Sequence, residues 1–224
     1  MSEEIISQIR SGGILYVLLV IAITMREFGR AYAADKLGCV LPRMQGRVTM
    51  NPLAHMDLMG TVIFPIMCIA LSTTTQLPLI FGWGKPVHTP FTNPKTYVRD
   101  DVVSTLAGPA MNLVVGLIST ILLTVFLMFD LKEYVYVAEY SIAINVMIFV
   151  LNMLPIPPSD GARVLRHIIK MSDSTYMAIS RYGIFIFLAV IFLPPTRYLL
   201  TVIINLLYGM FILIAKLILA VFAF

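Results

Sequence analysis

An apolar run that flows without a break into charge constrains this chain more than any other feature. Residues 14–37 read ILYVLLVIAITMREFGRAYAADKL, which puts Arg26, Glu27 and Arg30 on a helix that should lie mostly in lipid. A charged side chain at bilayer depth costs at least ~2.5–3.5 kcal/mol on insertion scales, so each is a candidate functional group. The plainer reading is that the helix leaves the membrane by Arg26 and the charges snorkel to the interface. The bulk of the chain sets the context. Of its 224 residues 59% are hydrophobic and only 12% charged, against about 25% charged in soluble domains. A single integral membrane domain over 1–224 is expected. The net charge of +4 is scattered through short loops, which argues for loops beside anionic lipid and against nucleic acid. Two cysteines, Cys39 and Cys68, cannot build a Cys-based zinc site and suggest no disulfide framework. Glu3 and Glu4 face a single Arg10 ahead of the first apolar segment, and no small-residue cleavage site follows, so that segment reads as a retained span.

The pattern predicts a first helix to residue 37, stopped by Gly38 as a C′ glycine. Residues 39–56, with Pro42, Gly46 and Pro52, suggest short extended structure and turns. An apolar stretch over 58–70 is broken at Ser72–Gln76 and Pro78 and resumes toward Phe81; the resumed part is too short to span alone. Residues 87–95 read as a Pro-rich loop. Long helices are expected over 102–129 and 135–154, a short basic helix over 162–171, and a C-terminal helical hairpin over 177–222 broken at Pro194-Pro195. The positive-inside rule then sets topology. If 58–81 makes no net crossing, every basic loop is cytoplasmic and the acidic turn near Asp130 and Glu133 lies outside. The N-terminus is outside, and Arg30 and Asp160 sit near the cytoplasmic ends of their spans.

Five blocks carry a resemblance. They are Arg26-Glu27-Phe28-Gly29-Arg30, Asn51-Pro52-Leu53-Ala54-His55-Met56-Asp57, Phe81-Gly82-Trp83-Gly84-Lys85-Pro86-Val87, Ala107-Gly108-Pro109-Ala110-Met111-Asn112, and Asn152-Met153-Leu154-Pro155-Ile156-Pro157-Pro158-Ser159-Asp160-Gly161. In this order they resemble the site-2 protease family of intramembrane zinc metalloproteases, over a core of residues 14–170. The resemblance implies an all-α polytopic membrane protein, a helical bundle with a short extended or re-entrant β segment. It implies that Glu27 stands at the general base, Asp160 at one zinc ligand, and Arg26 and Arg30 at the two histidine ligand positions. It also implies that Asn112 holds the backbone of an unwound substrate; an interhelical hydrogen bond is the alternative. Gly82, Trp83 and Gly84 suit a sheet edge that clamps an extended substrate segment.

The chemistry departs from the family at its centre. Positions i and i+4 share a helix face, so two imidazoles there can reach one ion. Guanidinium has no lone pair and stays protonated. Zinc is the family's cofactor, and none is expected here. The expectation instead is a buried ion cluster of Arg26 and Arg30 with Glu27 and Asp160, formally neutral, in place of the metal. Ser159, where the family usually has leucine, is a second departure. His55 and Asp57 are read as turn and cap residues in preference to a rescue metal pair, His88 as solvent-facing, and His167 as interfacial. The first functional reading is an inactive protease scaffold that binds transmembrane segments. The second is a silenced variant of an active intramembrane protease, and a third is a small proton or solute transporter built on the same charges.

Overall fold

The computed structural model describes residues 3–75 and 80–222, with the side chains of 9–70 and 80–222. Among these, five helices are long and apolar enough to cross a membrane. Helix α1 is Glu3–Lys36. It ends where the sequence demands: Gly38 takes φ +91°, and the Cys39 amide donates back to Ala34 O at 3.0 Å. That satisfies a terminal carbonyl that would otherwise be orphaned.

The segment after it corrects the expectation of extended structure over 39–56. Two single-turn helices stand there, α2 (Leu41–Met44) and α3 (Pro52–His55). Local chemistry explains α3: the Asn51 side chain accepts from Leu53 N at 3.1 Å, and Pro52 follows in the first turn, where its missing amide costs nothing. Asp57 then caps a π-helical turn, Leu58–Ile63, by accepting from Gly60 N at 2.7 Å. The turn runs directly into α4 (Phe64–Thr75). The break expected from Ser72 is therefore displaced, since the backbone stays helical through Thr75; Gln76 and Pro78 lie outside the described residues. At ~1.5 Å per residue the continuous run 58–75 is at most about 27 Å long, under a ~30 Å hydrocarbon core.

Residues 80–93 are extended and irregular, and no strand pairs with them among the described residues. Their order comes from single bonds, Trp83 N to Gly60 O at 3.0 Å and Lys85 N to His55 O at 2.8 Å. The remaining helices are α5 (Tyr97–Met128), α6 (Lys132–Asn152), α7 (Asp160–Ile168), α8 (Asp173–Phe192) and α9 (Pro194–Phe222). Pro194 and Pro195 open α9, leaving only Leu193 between it and α8; proline is compatible with a first helical turn.

Helix α5 is the axis. It lies along α1 and α6, and α9 covers the α5–α6 pair. One core joins Leu123, Ile142, Val146, Leu151, Phe187, Leu200 and Phe211, and a second joins Leu19, Ala22 and Ile23 to Ile144 and Ile148. Small residues set the approach of α5 to α1. A Cβ on Gly29 would come within 2.8 Å of Ala107 O, and one on Gly108 within 3.2 Å of Arg26 O. Close backbone approach of this kind is how helices associate where lipid removes the hydrophobic drive. It fixes α5 directly behind Arg26.

Helix α8 is held more thinly, chiefly to α9 and against the Pro-rich turn. A Cβ at Gly183 would stand 2.5 Å from Pro157 O, whereas one at Gly209 of α9 would meet nothing within 4 Å. Gly183→Ala is expected to lower thermal stability in detergent by about 1–3 kcal/mol, the cost of overpacking. Gly209→Ala should be neutral or stabilise by up to ~1 kcal/mol through helix propensity. Equal melting shifts for the two would contradict this packing.

Candidate functional site

Arg26, Glu27 and Arg30 follow one another over a single turn of α1. Asp160 reaches them from the start of α7, 130 residues later in sequence from Arg30. Ser159 makes that possible. Its hydroxyl donates to Leu154 O and accepts from Ala162 N at 3.3 Å, capping α7 and placing Asp160 in the first turn. The residue that departs from the family pattern thus does structural work at the terminus that carries the carboxylate.

The four charges form one connected group. Arg26 Nη1 donates to Glu27 Oε1 at 2.5 Å, Arg26 Nη2 to Asp160 Oδ2 at 2.6 Å, and Arg30 Nη1 to Asp160 Oδ1 at 2.9 Å. The Glu27 and Asp160 side chains are 4% and 3% exposed, those of Arg26 and Arg30 14% and 11%. The group is incomplete in its hydrogen bonding. Glu27 Oε2, Arg26 Nε, Arg30 Nε and Arg30 Nη2 are buried without a partner.

Above this group opens a cavity of about 360 Å³. Leu19, Ile23, Met147, Leu151 and Phe187 form apolar walls, and the four charged residues line it with Gly82, Trp83 and Gly84. The glycines are there for approach. A Cβ on Gly84 would come within 3.0 Å of Glu27 Cγ and 3.1 Å of His55 O, and one on Gly82 within 2.5 Å of Gly60 O. The expected sheet edge is thus a glycine-studded loop pressed on α1, with the Trp83 and Lys85 amides already bonded to Gly60 and His55. Trp83 itself packs at a tilt against Phe64 and Phe81, ring centres 5.4 and 6.1 Å away.

Asn112 stands elsewhere. It is fully buried between α1, α5 and α6, donating to Ala22 O and to Asn145 Oδ1, both at 3.0 Å. It is not among the residues lining the cavity; the interhelical bond is the arrangement observed. His88 is exposed. His55 is fully buried, and its Nε2 donates to Thr49 O at 2.7 Å, since a carbonyl can only accept. Asp57 is occupied as a cap, so the two make no metal pair.

Two groups were missed from sequence. His167, expected at the interface, is a correction: its side chain is 8% exposed and pairs through Nε2 with Asp101 Oδ2 at 2.7 Å. Arg163, one turn earlier, grips the same carboxylate through Nε and Nη2 and reaches Thr89 Oγ1 at 3.2 Å. The signal was available, because Arg163 and His167 at i and i+4 share a helix face and so can share a counter-ion. The second group is Arg47. It is 3% exposed and donates to Ala54 O and, at 3.5 Å, to Pro86 O. Among the described residues it pairs with no carboxylate, while Glu27's charge acts on it from nearby. Burial pushes its pKa down.

The chain is 28% identical over 202 residues to "Putative zinc metalloprotease YwhC" of Bacillus subtilis, covering 85% of each. It is 28% identical over 201 residues to "Putative zinc metalloprotease Rip2" of Mycobacterium tuberculosis, covering 88% of this chain and 74% of that protein. The chain is a homologue of both. The resemblance read from its five blocks agrees with these relatives, both of them named as zinc metalloproteases. No family model and no solved structure matches it significantly.

The relatives' names imply zinc, and the donor set can be tested for it. Arg26 and Arg30 offer no lone pair. Glu27 Oε1 and both Asp160 oxygens are engaged by guanidinium, and the described residues bring together no three His, Cys, Asp or Glu side chains able to hold a metal ion. The residues present do not fit the metal.

Removing Asp160 should leave two buried guanidiniums short of a partner. Asp160→Ala is expected to cost about 3–5 kcal/mol of stability in detergent; an unchanged melting temperature would refute the linkage. His55 adds a pH dependence. Burial lowers its pKa, with Arg47 acting in the same direction against Thr49 O and Glu27. A base whose folded pKa is depressed binds fewer protons folded than unfolded. Stability should therefore be full above its unfolded value of about 6.5 and fall as pH drops through it. His55→Gln should flatten that limb of the melting-temperature profile between pH 7 and 5.

Proposed function

We propose that this protein is a site-2-protease-like membrane scaffold that does not cleave, and that uses its cavity to bind transmembrane segments. The observation that carries the reading is the ion group itself. Two guanidiniums stand at the positions where the resemblance puts zinc-binding imidazoles, and they engage both oxygens of Asp160 and one of Glu27. Without a metal there is no bound water for Glu27 to activate. Glu27 at the base position, Asp160 at the third ligand position and the glycine loop at Gly82, Trp83 and Gly84 then serve binding and architecture. Asn112 serves the helix seam. The cavity's apolar walls face a segment arriving from lipid, and its polar end offers hydrogen bonds that lipid cannot.

A second reading has one observation in its favour. The site differs from a histidine-based one at Arg26 and Arg30 while Glu27 and Asp160 remain, as in a silenced version of an active intramembrane protease. Metal analysis of the purified protein, repeated on Arg26→His plus Arg30→His, bears on both. Stoichiometric zinc in the unaltered protein would sink the non-catalytic reading. Zinc only in the double variant, with cleavage of a transmembrane substrate restored, would favour recent silencing of a working site.

The topology proposed with this function has an outside N-terminus and a site near the cytoplasmic face. The limited length of the helical run 58–75 and the placing of Arg43, Arg47, Lys85, Lys95 and Arg99 on the segments that flank it support that arrangement. Thr92→Cys should react with an impermeant thiol reagent only after the membrane is opened. Reaction from the outer side of intact cells would overturn it.

A further inference from the structure

The asparagines of this chain have side-chain partners, with one exception. Asn51 and Asn93 each accept a backbone amide in a turn. Within the spans, Asn112 donates to Ala22 O and Asn145 Oδ1, Asn145 donates to Ser141 O, and Asn152 donates to Ile148 O. Asn205 of α9 is exposed, and among the described residues its carboxamide has no hydrogen-bond partner. At ~1.5 Å per residue it stands roughly 16 Å from the start of α9 and roughly 26 Å from its end, well inside a ~30 Å hydrocarbon core. The side chain is too short to reach a headgroup, unlike that of Lys216 on the same helix. A carboxamide that faces hydrocarbon with nothing to bond is costly and asks for a partner.

The helix around Asn205 is open on that side. Helix α9 buries Leu200, Phe211 and Ala215 toward the bundle. Thr201 and Gly209, one turn before and one turn after Asn205, are exposed with it, and positions four apart share a helix face. A Cβ on Gly209 would meet nothing within 4 Å, so no contact inside this chain requires a glycine there. Thr201 is satisfied along its own helix, donating to Arg197 O at 2.9 Å. Small residues beside a polar one let a second helix come close enough for side chains to bond across the gap.

We propose that α9 is a dimerisation helix, and that the occupant of this face is α9 of a second copy of the chain, crossing at Asn205 and Gly209. The carboxamide itself selects that partner. It carries both donors and an acceptor, so two of them about a twofold axis satisfy each other reciprocally. The Asn112–Asn145 bond between α5 and α6 is one such contact already made inside the chain. A charged group on a different protein would bond to Asn205 but leave an ion in hydrocarbon. Lys216 lies on the same face three turns further on. Helices that cross at Asn205 have diverged by then, and its ammonium reaches the headgroups instead of its twin. No residue of α9 lines the cavity, so the pairing is independent of what the cavity holds.

The test uses the full chain in two populations, one with a donor dye and one with an acceptor, reconstituted together in liposomes and diluted with lipid. Energy transfer above the level of random proximity is expected. Asn205→Leu should weaken association about tenfold through the loss of both interhelical hydrogen bonds, and Asn205→Gln, which keeps the carboxamide, should retain most of it. Gly209→Leu should weaken association too, while its melting temperature in detergent stays level or rises; that separates a blocked contact from a damaged fold. Leu206→Ala, exposed on the neighbouring side of α9, should leave association unchanged. Transfer at the random level in the unaltered protein, or transfer that Asn205→Leu does not alter, would overturn the dimer. If the copies do not associate and Asn205 is needed to capture a different membrane protein, the second-copy assignment falls.

Discussion

Guanidinium–carboxylate pairing across the gap between α1 and α7 is the interaction on which the rest of the site depends. Four ionic groups sit where water is scarce, and each would be costly alone. They are tolerable together because the bonds are short and shared: Arg26 bridges both carboxylates and Arg30 secures the second oxygen of Asp160. That requirement reaches outward. Asp160 must be presented at a fixed depth, so Ser159 caps the helix that carries it. Helix α7 must not rock, so Arg163 and His167, on the same face as Asp160, tie it to Asp101 of α5. Helix α5 must lie close behind Arg26, so Gly29 and Gly108 leave no side chain between them.

The same dependence explains why metal chemistry and this arrangement exclude one another at these positions. A divalent ion concentrates two charges at a point and needs lone pairs around it. Two guanidiniums spread the same charge over planar forks and need acceptors instead. What α1 and α7 supply to the second arrangement is two acidic groups, Glu27 and Asp160, within reach of the same guanidinium. Homology to proteins named as zinc metalloproteases and an arginine-filled centre are thus compatible. In this chain the helices and their glycine contacts set the frame, and two side chains, Arg26 and Arg30, decide that its centre takes acceptors and not a metal.

Much of this was legible in the residues. Long apolar periods gave the five candidate spans, Gly38 gave the end of α1, and the five motif blocks gave the relationship. Other features were hidden for identifiable reasons. Pro42 and Pro52 read as breakers, yet proline is accepted at the start of a helix, and each nucleates a single turn there. Gly82 and Gly84 read as a strand edge because glycine spacing does not say whether the missing Cβ makes room for a partner strand or for a neighbouring helix. The Asp101 group required seeing that positions 163 and 167 share a helix face and then finding a carboxylate more than sixty residues away in sequence, which no local pattern encodes. Arg47 was hidden more deeply: a basic residue in a polar loop looks solvated until the loop is found folded against α1.

That last residue has an effect beyond its own bonds. Arg47 sits between the short helices α2 and α3, outside the five helices long enough to span, and Glu27 inside one of them acts on its charge. Its bonds to the Ala54 and Pro86 carbonyls tie together two connecting stretches that lie on either side of α4 in sequence. Replacing it would loosen the brace on the stretch that carries Gly82, Gly84 and Pro86 to the hollow without altering a single residue on its walls.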